Sequence, residues 1–128
     1  MTEHDPGDAP AGKLATYLLE QGIRGIGPLS SAESLAAEYL GDGKYRDDDA
    51  RVAALIKWET AKNFTTGFVT GLGGFITLPV AIPSALAASW VVQARLAAAI
   101  ARIYGHDLDA ERVRTKILLS LAGDVAKE

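Results

Sequence analysis

Charged residues recur along the whole chain except in one stretch, Asn63 to Ala94, which reads NFTTGFVTGLGGFITLPVAIPSALAASWVVQA between Lys62 and Arg95. Upstream, apolar residues return at helical spacing. Leu14, Tyr17 and Leu18 make an i, i+3, i+4 set that predicts a helix over Lys13–Gln21, with Gly22 at its end. The segment from Gly22 to Pro28 then reads as a linker. Ser30 with Glu33 forms a capping box opening a second helix, which places Leu35, Ala36, Tyr39 and Leu40 on one face before Gly41–Gly43 closes it.

Asp47, Asp48 and Asp49 precede an Ala-rich run, where carboxylates cap free amides at a helix start. That helix is expected from about Ala50 through Trp58 and Phe64 to Leu72, with Glu59 able to pair with Lys62. Gly67 and Gly71, four apart, would give it a smooth stripe for a close-packed partner helix. Gly73 and Gly74 weaken it, and Pro79 and Pro83 make LPVAIP a connector. Pro83 suits the first position of the next helix, Ser84–Tyr104, about 31 Å long at 1.5 Å per residue. Arg95 and Arg102 lie seven apart on one side of its alanine-rich second half. Gly105 ends it, and Asp107 or Asp109 caps a last helix with an apolar face of Val113, Ile117, Leu118 and Leu121 and a C-cap at Gly123. No strand-like alternation occurs, so the class is all-α: a helical hairpin interrupted by glycine and proline, with short amphipathic helices at both ends.

Composition narrows the function classes. At 128 residues, 48% of them apolar, the chain forms one modest domain, expected over 12–128 after an acidic, disordered tail at 1–11. Through Lys62 seven basic residues meet eleven acidic ones, and from Arg95 onward six meet five. Balances of −4 and +1 give the net −3 and leave no clustered cationic face for nucleic acid. Without Cys there is no thiolate chemistry, in keeping with a cytoplasmic setting, and the tail has no signal-peptide pattern.

Catalytic signals are weak. His106, Asp107, Asp109 and Glu111 are neighbours in a turn without a second histidine nearby, so they read as caps rather than metal ligands. The three aspartates likewise lack converging partners for a cation. Ser84 and Ser89 have no adjacent base, and GLGG lacks the Lys-Ser/Thr ending of a phosphate loop. The reading is of a non-enzymatic module without cofactor. As a membrane span the charge-free stretch fails, because Pro79 and Pro83 cut it into arms of roughly 15 and 11 residues, short of the ~20 a span needs.

The run GFVTGLGGFITLPVAIPSALAASWVVQARLAAAIARIYGHDLDAERVRT closely resembles the signature half of the EcsC family, and SSAESLAAEYL and Lys57-Trp58 resemble its N-terminal portion. The matching positions are Gly67, Gly71, Gly73, Gly74, Pro79, Pro83, Gln93, Arg95, Gly105 and Asp107. The resemblance implies an all-helical bacterial domain, cytoplasmic or peripheral at the inner face of the membrane, from a family without an established reaction. It also implies a second helical half beyond the signature half recorded here. The expectation is a module that binds lipid or a membrane surface, accessory to an envelope or transport process. Gly67, Phe68, Gly71, Gly73, Gly74, Phe75, Pro79, Pro83 and Gln93 would line its apolar hairpin. Trp90 would anchor at the interface, and Arg95 and Arg102 would face head groups. The alternative is a protein-interaction module that uses the same face to self-associate or to pair with a missing half.

Overall fold

The five helices that the spacings predict appear as six in the computed structural model, which describes residues 10–76 and 82–127, because the third is divided in two. They are α1 (Pro10–Arg24), α2 (Ala32–Leu40), α3 (Asp48–Asn63), α4 (Thr66–Gly73), α5 (Ser84–Ile103) and α6 (Glu111–Lys127). No strand occurs among the described residues, and the chain is all-α. Most of the expected tail and most of LPVAIP, Pro79 included, lie outside them.

α5 packs against each of the other five helices. Small side chains allow this: Ala87, Ala88, Ala94, Ala98 and Ala99 are all buried, so neighbours approach α5 on several sides. Val91 and Val92 share one core with Leu18 of α1, Leu35 of α2, Leu55 of α3 and Leu72 of α4, all fully buried. By length and composition α5 could cross a membrane, yet half of its most apolar window is buried within the protein. A central helix covered by others shows that composition without a bilayer.

Several boundaries differ from the sequence expectation. α1 does not stop at Gly22 but continues to Arg24. Gly25, at φ 84°, ends it, its N–H bonding back to the Gln21 carbonyl at 2.9 Å. Ser31, not Ser30, caps α2, its hydroxyl accepting from the Ser34 N–H at 3.1 Å. Leu35 and Ala36 are buried as expected, whereas Leu40 is turned outward. Asp47 caps α3 through the Ala50 N–H at 2.8 Å, in line with the aspartate cluster.

α3 stops at Asn63 rather than running on to Leu72. The Thr65 hydroxyl accepts from the Phe68 N–H at 3.4 Å and starts α4 as a separate helix. A residue that caps competes with helix continuation, and the paired Thr65-Thr66 left open which, if either, would cap. α5 closes at Gly105, φ 91°, with the His106 N–H bonded to the Ala101 carbonyl at 3.0 Å, a Schellman end. Pro83 is the residue before α5 rather than its first, and α6 passes through Gly123 without ending there.

Candidate functional site

The inner face of α3 repeats Val52, Leu55, Glu59 and Asn63, so a carboxylate and an amide occupy positions that the spacing assigns to the core. Glu59 is only 2% exposed. Arg95, 4% exposed, reaches it from α5, with Nη1 donating to Oε1 at 3.1 Å. The same guanidinium donates from Nε to the Ser30 carbonyl at 2.7 Å and from Nη2 to the Ser30 hydroxyl at 2.9 Å. Asn63 Nδ2 donates to Oε1 at 3.0 Å, and the Lys62 ammonium lies 3.0 Å from Oε2. One network therefore joins α3, α5 and the turn between α1 and α2. No buried side-chain polar atom among the described residues is left without a partner.

Burial pushes the Glu59 carboxyl up, but hydrogen bonds from Lys62, Arg95 and Asn63 outweigh it and hold the group below the ordinary 4.5. The carboxylate is thus anionic at neutral pH and poorly suited to proton transfer there. A depressed folded-state value gives stability that is complete above the unfolded value and is lost as pH falls through the folded one. Thermal melts below pH 4.5 should therefore drop more steeply for the wild type than for Glu59→Gln. Parallel curves would remove Glu59 from the acid response.

The residues expected to face lipid are divided by the structure. Trp90 is 4% exposed and belongs to the core, so it is not an interfacial anchor. Arg95 is turned inward onto Glu59, away from any head group, while Arg102 is half-exposed with Nε 3.3 Å from Glu33. Gln93 is half-buried and bonded to Ser89 at 3.4 Å. Among the described residues the Gly67–Gly71 stripe packs on no helix: a Cβ at either position would meet nothing of theirs within 4 Å. Gly73 does meet a neighbour, since its Cβ would lie 3.0 Å from Ser84. Phe68 packs partly buried against the core, and Gly74 and Pro83 are exposed.

What remains at the surface is a continuous uncharged segment. Phe64, Gly67, Thr70, Gly71, Gly74 and Phe75 are all exposed on and around α4. Phe64 is 37% and Phe75 57% exposed. The Phe75 ring leans on Gly27 (φ 57°), where a Cβ would stand 2.7 Å from the ring. Among the described residues no group of three or more His, Asp or Glu converges as for a metal ion. No family model, curated protein or solved structure matches the chain.

Sequence reasoning missed the Glu59–Arg95–Ser30 network. Its signal was present in Glu59 and Asn63 breaking the apolar face of α3. The partner across space was not, because Ser30 and Arg95 are 65 residues apart.

Proposed function

We propose that the chain is a non-enzymatic, EcsC-like helical module that settles on a lipid surface through the uncharged end formed by Phe64, α4 and Phe75. In this reading it is a bacterial, cytoplasmic protein, peripheral at the inner face of the membrane and accessory to an envelope or transport process. The observation that carries it is Phe75, more than half exposed within a segment that has no charge from Asn63 to Ala94. Aromatic rings at the edge of such a face partition into the head-group boundary, and the bare glycines let the helix lie close to it. The EcsC likeness rests on the quoted motifs alone.

Vesicle co-sedimentation tests the reading. Each buried Phe is worth about 1.5–3 kcal/mol, so Phe64→Ser/Phe75→Ser should weaken partitioning at least about tenfold. Phe75 is more than half exposed and Phe64 is 37% exposed, so the double variant should lose some stability yet remain folded at the temperature of the assay. A Phe75→Trp reporter should shift its emission to the blue with phosphatidylglycerol-containing vesicles. Vesicle binding that ignores both serines would end the proposal. A lipid-free oligomer that the same serines dissolve would assign the face to a protein partner instead.

A further inference from the structure

On another side of the molecule α5 and α6 enclose an open groove of about 420 Å³, within the range of small-molecule sites. Its apolar lining comes from Ala97, Ile100 and Ala101 of α5 and Val113 and Ile117 of α6. The groove exists because Ala97 and Ala101, one turn apart, are too small to fill the space between the helices. A smaller hollow of about 120 Å³ shares Ala97 and Ile117 and reaches to Gln93 and Leu121. From Gln93 to Tyr104 the α5 wall rises about 16 Å, room for an extended alkyl chain.

The charges around the groove are unequal in their commitments. Arg112 and Lys116, one turn apart and exposed, line its α6 side and make no ion pair within 4.0 Å among the described residues. Their neighbour Arg114 is by contrast paired with Glu20. The Tyr104 end is negative, since Asp49, Asp48 and Asp47 raise the pKa of the Tyr104 hydroxyl, which places an anion at the Arg112 and Lys116 wall and not there. Asp49 accepts from the Tyr104 hydroxyl at 2.6 Å, Asp48 holds Arg51 at 2.8 Å, and Asp47 caps α3. An apolar trough with free cations along one wall complements a chain that ends in an anion.

We propose that this groove binds a single-chain fatty carboxylate, its alkyl chain over Ala97 and Ala101 and its head group at Arg112 and Lys116. The site is separate from the α4 face and does not rest on the lipid-surface reading. Titrating the ¹⁵N-labelled protein with dodecanoate below its micellar concentration should give saturable shifts centred on Ala97, Ala101, Arg112 and Ile117. Dodecyltrimethylammonium, with the same chain and the opposite charge, should bind more weakly. Arg112→Glu/Lys116→Glu should weaken dodecanoate on the order of tenfold, given that reversal replaces two attractions by repulsions. Ala97→Phe, at an exposed position, should block the groove while the amide spectrum stays folded. Equal binding of the two surfactants, shifts away from the groove, or unaltered binding by Ala97→Phe would overturn the proposal. None of those results touches the behaviour of Phe64 and Phe75 on vesicles.

Discussion

Glu59→Leu should lower stability by about 3–5 kcal/mol in urea unfolding, and Arg95→Met should cost roughly half as much. The asymmetry follows from what each change strands. Without Glu59, the buried guanidinium keeps only the neutral oxygens of Ser30, and arginine cannot shed its proton to escape the cost. Without Arg95, the carboxylate still has Lys62 at 3.0 Å and the Asn63 amide, and it can also take up a proton. The double variant should recover part of the loss, since two apolar side chains then pack together. It leaves the Asn63 amide without its acceptor, at about 1–3 kcal/mol, so adding Asn63→Leu should recover most of the remainder. Simple additivity of the two single losses would show that the ion pair does not couple the helices.

The second large effect is expected at Gly22. A Cβ there would stand 2.8 Å from the Arg95 backbone nitrogen and 3.0 Å from both Ala94 Cβ and the Val91 carbonyl oxygen. Two of the three obstacles are backbone, which cannot swing aside as a side chain end would. Gly22→Ala gains up to about 1 kcal/mol of helix propensity and loses about 1–3 kcal/mol to overpacking, so it should melt below the wild type. Gly22→Leu should reach or exceed the upper end of that range. Gly71 is the matched control: with nothing within 4 Å of its Cβ, Gly71→Ala should stabilise slightly and Gly71→Leu should be nearly neutral. If Gly71→Leu instead proves the more damaging of the two leucines, the packing of α1 on α5 described here is wrong.

The glycines show how much of this fold was legible in the sequence. Spacing revealed every helix but α4, and with them the caps at Asp47 and Gly105, because those signals are local. Gly67 and Gly71 displayed the pattern of a packing stripe yet lie open. Gly22 had the look of a terminator yet forms the close contact. A glycine's spacing does not say which residue faces it, and Val91, Ala94 and Arg95 lie some seventy positions downstream. Trp90 and Arg95 failed for a related reason. Half of the most apolar window of α5 is covered by the other helices, Trp90 and Arg95 with it, and a hydropathy pattern cannot distinguish enclosure by protein from enclosure by lipid. The aromatics are divided only by the fold, since Phe64, Phe68 and Phe75 look alike in the sequence and of the three only Phe68 is tucked inward.

The place of α5 in the chain has a consequence for biosynthesis. Four helices leave the ribosome before the one against which all of them pack. At about 5–20 residues per second, roughly 4–15 s separate the synthesis of Gly22 from that of Arg95. Through that interval Leu18, Leu35 and Leu55 have no Val91 or Val92 to cover them, and Ser30 waits for its guanidinium. The nascent chain therefore exposes apolar surface until its hub arrives, and slowing translation between α4 and α5 should lengthen its period of aggregation risk.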